Sequence, residues 1–226
     1  MKLKFLTLFL LITCLSCKEK EYEKDELLFE ENFEEDLSQW VVETGYSPDA
    51  NAGIKDGKLV IDVDRGATVW LKEELSGNIL IEYDRKVIME DGENDRLSDL
   101  NQFWMARDPK NANLFTRDGN FGEYDSLRMY YFGIGGNTNS TTRFRKYAGN
   151  GDRILIHDLE EEEYLLEPNK IYHVKTVVYD GVTKVYVDDK EFFSYEDEEP
   201  LLEGYFGFRT TESRHEIDNM KIYSLQ

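Results

Sequence analysis

The last third of the chain alternates apolar and polar residues with a period of two, interrupted by short turns. Asp180-Gly181 and Asp188-Asp189 are two of the turns that separate the alternating runs. Such alternation is typical of half-buried β-strands, and Asp-Gly between two runs is a hairpin signal. The pattern predicts a β-meander with strands over 172–179, 184–188, 191–195, 204–209 and 215–223.

Similar runs continue upstream, and no segment has the periodicity of an amphipathic helix. Many short strands joined by turn residues favour an all-β, two-sheet jelly-roll sandwich. The length fits one such domain, and no linker or internal repeat divides it, so we expect a single domain over 27–226. The upstream strands are predicted at 26–33, 58–63, 67–71, 78–88, 100–106, 126–132, 141–147 and 153–157.

The N-terminus has the features of a signal peptide. Two lysines precede an apolar run, 5–15, that is too short to span a bilayer as a helix. The run ends at Ser16-Cys17, which resembles a bacterial lipobox, although Cys14 stands where a Leu is usual. We expect a signal peptide over 1–17, a lipid on Cys17, a charged tether over 18–26, and a surface-exposed position on the bacterial outer membrane. The alternative is an ordinary secretory signal with an incidental cysteine.

Charge is distributed unevenly along the chain. The net charge of −20 excludes nucleic acid as a partner class. Residues 96–153, however, hold seven Arg and two Lys against six acidic residues. The acidic runs at 160–163 and 196–199 are interpreted as solvated loops. The cationic middle is therefore the segment of interest for an anionic ligand.

Arg, Asn and aromatic residues concentrate in this cationic middle. Arg binds a carboxylate or sulfate through two parallel hydrogen bonds, and Asn pairs with hydroxyl groups. An aromatic face stacks on the apolar side of a sugar ring, so this set of residues favours an anionic polysaccharide or oligosaccharide ligand. The predicted substrate-binding residues are Trp104, Arg128, Asn137, Asn139, Arg143, Arg145 and Arg209, with Tyr130 in the same patch. Two alternatives remain open: the arginines pair with nearby Asp residues, and Trp104 belongs to the core.

Several segments resemble known families. The order of the closing strands resembles that of concanavalin-like lectin and glucanase sandwiches. Four further segments, 99–109, 124–131, 135–145 and 204–209, resemble a Bacteroidota family of domains of unknown function. That family is similar to YesU-like proteins found with pectin-degradation genes. The resemblance implies a jelly roll in a polysaccharide-utilisation setting, without an agreed reaction.

Glycosidase and lyase signals are incomplete. The segment 216–221 begins like the Glu-Ile-Asp-x-x-Glu motif of laminarinase-type enzymes but ends in Lys221, so it lacks the second carboxylate of a retaining pair. The motifs of alginate-lyase jelly rolls are not intact. A lyase assembled otherwise would use Arg143 or Arg145 to hold a uronate carboxylate, with Tyr130 and His157 as catalytic proton carriers.

Three functions therefore stay open on sequence alone. The first is an enzyme that cleaves an acidic glycan, the second is a non-catalytic glycan-binding lipoprotein, and the third is a structural envelope module. No Cys/His metal spacing or phosphate loop occurs, so we expect no cofactor. A structural calcium between acids of 30–35 and Asp218 is a further hypothesis, beside the alternative of plain acidic strand ends. We expect a monomer.

Overall fold

The computed structural model describes residues 22–45, 47 and 49–226. The predicted signal peptide, the predicted lipidation site at Cys17 and the first part of the predicted tether lie outside this range. The last tether residues, 24–26, belong to the first strand, so the folded domain begins earlier than expected. No helix among the described residues is long and apolar enough to cross a membrane.

Strands make up nearly all the regular secondary structure of the described chain, as predicted. The strands are β1 (Lys24–Glu31), β2 (Trp40–Glu43), β3 (Asn51–Lys55), β4 (Lys58–Ser76), β5 (Ile79–Val87), β6 (Leu100–Arg107), β7 (Arg128–Gly135), β8 (Thr141–Ala148), β9 (Arg153–Leu159), β10 (Ile171–Tyr179), β11 (Val182–Val187), β12 (Lys190–Glu196) and β13 (Glu203–Leu225). Short 3-10 turns lie at Phe121–Ser126 and Glu162–Tyr164, and a four-residue turn at Gly136–Asn139. The sequence missed β2 and β3, and it divided both β4 and β13 into two strands.

Strands β4 and β13 are long because each runs through both sheets of the sandwich. The first sheet has the order β2-β4-β13-β6-β7-β8-β9, and the second has β12-β11-β10-β5-β13, with β1 and β4 on the far side of β13. The pairing of β13 shifts register near Glu212 and Asn219, which both have positive φ. Such β-bulges bend a strand, so they let β13 pass from one sheet to the other.

The main core lies between the two sheets. Trp104 is completely buried there and stacks against Tyr130 and Phe144, with ring centroids 5.4 and 5.7 Å apart. Phe206 and Phe208 contribute from β13. Trp104 is thus a core residue, and its prediction as a ligand-facing floor is wrong, because alternation along β6 points it inward.

A second apolar cluster lies on the outer face of the first sheet, under residues 108–127, which we name the strap. Strap residues Leu114, Tyr124 and Leu127 are buried against side chains of β4, β6, β7 and β8. Because the strap covers this face only in part, it leaves a pocket on the side of β7 and β8.

Candidate functional site

The register of the β7–β8 hairpin decides which side chains share the outer face. Tyr131 lies opposite Arg145, and Gly133 lies opposite Arg143. Residues directly opposite each other in an antiparallel pair point to the same face. Tyr131, not Tyr130, therefore accompanies the two arginines.

A pocket of about 220 Å³ opens at this position. Residues from β7, β8 and β9, from the strap, from the β7–β8 turn and from the segment just before β6 contribute to it. Its lining consists of Asp99, Phe121, Tyr131, Gly133, Gly136, Asn137, Thr141, Arg143, Arg145 and Arg153. Three guanidinium groups thus face one cavity with a single carboxylate in its lining.

Tyr131 lies along the floor of the pocket because Gly133 has no side chain. A carbon added at Gly133 would overlap the Tyr131 hydroxyl and Oδ1 of Asn101. The Tyr131 hydroxyl donates to that oxygen over 2.7 Å. Burial raises the pKa of Tyr131 well above its usual value, so the phenol stays neutral in the physiological range.

The three arginines differ in how far the protein already satisfies them. Arg143 Nε donates to Asp158 over 2.9 Å, and Arg153 makes a two-pronged pair with Asp125 at 2.5 and 2.6 Å. Arg145 forms no ion pair with any carboxylate in the described part of the chain, and its buried Nε has no acceptor there. Its guanidinium lies 5.7 Å from the Tyr131 ring centroid. Arg145 is thus the cation left for a ligand.

Phe121 forms the wall of the pocket on the strap side. Its ring is close to two guanidinium groups, with Arg153 at 4.4 Å and Arg209 at 4.9 Å from the ring centroid. Arg209 is almost fully buried and donates to the Gly119 carbonyl over 2.8 Å and to Thr68 over 3.2 Å. Burial lowers the pKa of Arg209. The structure therefore places Arg209 on the predicted face but beneath the strap, as an anchor.

The turn between β7 and β8 forms another wall. Asn137, Thr138 and Asn139 all have positive φ, between 53° and 59°, which is rare for residues other than Gly and costs free energy. Asn139 holds the turn in place because its amide exchanges two hydrogen bonds with the Leu166 backbone, at 2.8 and 2.9 Å. Asn137 therefore lies in the pocket lining, whereas Asn139 supports the pocket from behind.

The other predicted residues lie elsewhere. Tyr130 is buried on the inner face, where its hydroxyl donates to Asp197 over 2.5 Å. His157 stacks on Phe144 and Phe193, also on the inner side. Arg128 is exposed at the start of β7, outside the pocket lining. The predicted patch that joined Arg128 and Tyr130 to the arginines of β8 is wrong, because even-numbered residues of β7 and β8 share the opposite face. His157, predicted to act with those arginines, lies on β9 opposite Phe144 and so shares the inner face instead.

Sequence reasoning found three of the ten lining residues, Asn137, Arg143 and Arg145, and missed the other seven. The presence of Tyr131 and Gly133 in the pocket follows from the hairpin once its register is known. The signal available in the sequence was Gly133 itself, a glycine between bulky residues of a strand. Asp99 precedes β6, Phe121 lies in the strap and Arg153 begins β9, and no local pattern marks them. In the part of the chain described, no three acidic, His or Cys side chains cluster as metal ligands, and a calcium between acids of 30–35 and Asp218 stays a hypothesis.

The pocket is equipped for recognition more than for proton transfer. It offers guanidinium and carboxamide donors, one carboxylate acceptor and two aromatic rings. Asp125 and Asp158 already pair with arginines, so Asp99 is the carboxylate left to face a ligand. A neutral, buried Tyr131 that already donates a hydrogen bond is a poor general base.

Solved structures share this fold at low sequence identity. A Bacillus subtilis protein of unknown function with a galectin-like fold superposes with a TM-score of 0.76 at 17% identity, covering 91% of this chain and 99% of that chain. The carbohydrate-binding module CBM66 from Bacillus subtilis gives a TM-score of 0.58 at 18% identity, with 82% and 96% covered. An endo-β-1,3-glucanase from Pyrococcus furiosus gives 0.62 at 13% identity, with 88% and 94% covered.

These likenesses confirm the predicted concanavalin-like sandwich, and at such identities they show the fold alone. A search of curated proteins found no match to the sequence. A family model does match residues 61–220, which is most of the folded domain. The predicted relation to a family of domains of unknown function is thereby confirmed, and the chain belongs to the family described as domain of unknown function DUF6250.

Proposed function

We propose that the protein binds an anionic polysaccharide or oligosaccharide in the outer-face pocket and does not cleave it. The observation that carries this proposal is Arg145, a cation inside a pocket with no carboxylate partner among the described residues. A charge that the fold leaves unpaired in a partly buried position is matched by a ligand anion.

Each class of lining group has a role in this proposal. Arg145 holds a carboxylate or sulfate, while the N–H groups of Arg143 and Arg153 that Asp158 and Asp125 leave free add weaker donors. Asp99 accepts from sugar hydroxyls. The rings of Tyr131 and Phe121 supply apolar surface. The solved structures of similar fold include a carbohydrate-binding module, which supports the same ligand class.

A binding role is favoured over cleavage by the shortage of reactive groups. Glycoside hydrolysis requires two carboxyl groups on opposite sides of the scissile bond, and Asp99 is the single carboxylate in the lining. A lyase requires a base near the arginines, but Tyr130 and His157 lie on the inner face. The similarity to the glucanase therefore supports a shared fold and not a shared reaction.

Gel retardation and calorimetry with polygalacturonate, alginate, a sulfated glycan, xyloglucan and laminarin would test the proposal. We expect retention by anionic polymers and a ten- to hundredfold loss for Arg145→Gln, since a hydrogen bond to a charged group contributes about 1.5–3 kcal/mol. Arg128→Gln, an exposed arginine on β7, is the matched control and should bind normally. Retention by neutral polymers alone, or release of new reducing ends or unsaturated products, would contradict the proposal.

We also propose that Cys17 anchors the domain to the bacterial outer membrane through a lipid. The support is the lipobox-like Ser16-Cys17 after a short apolar run. Growth with a labelled fatty acid should mark the wild type and not Cys17→Ser. Equal labelling of the two proteins would contradict the anchor and leave the glycan-binding proposal intact.

A further inference from the structure

The strap is seated on the sheet without a gap on the β4 side of the pocket. A side-chain carbon at Gly66 or Gly119 would overlap the backbone oxygen of the other residue, so the two chains touch. Arg209 also fixes the position of Gly119, because it donates a hydrogen bond to the Gly119 carbonyl over 2.8 Å. A glycan chain therefore cannot continue across β13 and β4 beneath the strap.

A buried carboxylate fixes the strap to β2 as well. Glu43 accepts hydrogen bonds from the Trp70 indole at 2.8 Å, the Tyr124 hydroxyl at 2.7 Å and the Arg117 backbone at 2.9 Å. The Arg117 side chain also pairs with Asp108 over 2.7 Å, with both groups nearly buried. With so many internal partners, the strap is a fixed wall and not an open flap.

Along β7 and β8 the pocket is closed at both ends. Toward the start of β7, Met129 and Tyr147 are fully buried beneath the strap cluster. Toward its end, the left-handed turn with Gly136 and Asn137 rises into the lining, held by Asn139 against Leu166. The lining therefore ends within the hairpin in both directions, and the pocket does not continue as a groove along it.

The size of the cavity agrees with this enclosure. Its volume of about 220 Å³ lies below the roughly 300–1,000 Å³ of pockets for drug-sized ligands, so it suits one sugar unit more than a run of several. We propose that the pocket receives the terminal sugar residue of an anionic glycan and not an internal stretch, an inference that rests on the proposed glycan-binding function.

An experiment can distinguish binding to the ends of the glycan chain from binding along its length. The anionic polymer that retains the protein most strongly is cut with an endo-acting enzyme, and binding capacity is measured at equal mass before and after. We expect capacity to rise in proportion to the number of chain ends, and the affinity for its oligomers to level off by about the trimer. Capacity that follows mass, with affinity still rising from tetramer to hexamer, would overturn end recognition. Retention by none of the anionic polymers would instead overturn the proposed function.

Two phenylalanines of the strap provide a test variant and a matched control for the role of the strap as a wall of the pocket. Phe121 lines the pocket, whereas Phe115, in the same strap, packs on Tyr205 with ring centroids 4.9 Å apart. Phe121→Ala should lower monomer affinity severalfold and raise the hexamer-to-monomer affinity ratio, because it opens one wall. Phe115→Ala should leave that ratio unchanged. Equal ratios in the wild type and both variants, with all three proteins folded by circular dichroism, would overturn the role of the strap as the wall that ends the site.

Discussion

The two faces of the β7–β8 hairpin carry similar polar chemistry with opposite outcomes. On the inner side, Lys146 pairs with Asp197 over 2.7 Å, and Tyr130 donates to the same carboxylate. On the outer side, the adjacent Arg145 has no carboxylate partner among the described residues. A cation, a tyrosine and nearby aromatic rings occur on both faces, yet only the cation of the inner face, Lys146, has a carboxylate partner among the described residues.

This difference separates a structural cluster from a binding site. The sequence predicted Tyr130 for the ligand patch, whereas the hairpin register and the pairing of the surrounding charges assign Tyr131 to it instead. A satisfied ion pair stiffens the fold, whereas an unpaired cation in a pocket retains its capacity for a ligand. The comparison predicts that changes on the inner face act on stability and changes on the outer face act on binding.

The largest expected effect is on the inner face. Trp104→Ala should lower the free energy of unfolding by about 3–5 kcal/mol, because it removes a fully buried ring that stacks on Tyr130 and Phe144. Denaturant titration measures the loss. The fraction that remains folded should bind glycan with wild-type affinity. A loss of glycan affinity without a loss of stability would contradict the core assignment and place Trp104 in the ligand site.

An intermediate effect is expected on the outer face at Gly133. Gly133→Ala should weaken glycan binding about tenfold, equivalent to about 1.4 kcal/mol, because the new methyl group displaces the Tyr131 ring from the pocket floor. Gly122→Ala is the control, since a methyl group there meets no atom closer than 3.7 Å. Calorimetry that finds the two variants equal would show that Tyr131 does not shape the pocket.

The smallest effect concerns the pH dependence of the inner face. Burial alone would raise the pKa of Asp197, but hydrogen bonds from Lys146 and Tyr130 outweigh it and hold that pKa below the usual 3.8. The resulting stabilisation is fully present above the unfolded-state pKa and disappears as pH falls through the folded-state pKa.

The stability advantage of the wild type over Asp197→Asn should therefore be constant from pH 7 to 5 and shrink below about pH 4. Denaturant titrations across this range measure it, with the exposed Glu198→Gln as the control. An advantage that grew toward low pH would contradict the assigned pairing. Glycan affinity of Asp197→Asn at pH 7 should equal that of the wild type.

The fold was predictable because period-2 alternation survives in nearly every strand, including those of the β7–β8 hairpin. The face of the sheet that each side chain occupies could not be predicted, because a one-residue change in register exchanges the two faces of a strand. The left-handed turn at Gly136–Asn139 sets that register through positive φ values that sequence alone does not display. The strap has no periodic pattern, so the contribution of Phe121 to the pocket could not be predicted either.

The most direct test substitutes the two neighbouring cations of β8, Arg145→Gln and Lys146→Gln, and measures both affinity and stability for each. Arg145→Gln should lose ten- to hundredfold in affinity for the anionic glycan while keeping its free energy of unfolding. Lys146→Gln should bind normally but lose about 1–3 kcal/mol of stability, because Asp197 keeps a buried charge without its cation. Normal binding by Arg145→Gln, or a binding loss confined to Lys146→Gln, would contradict the assignment of the outer face as the glycan site.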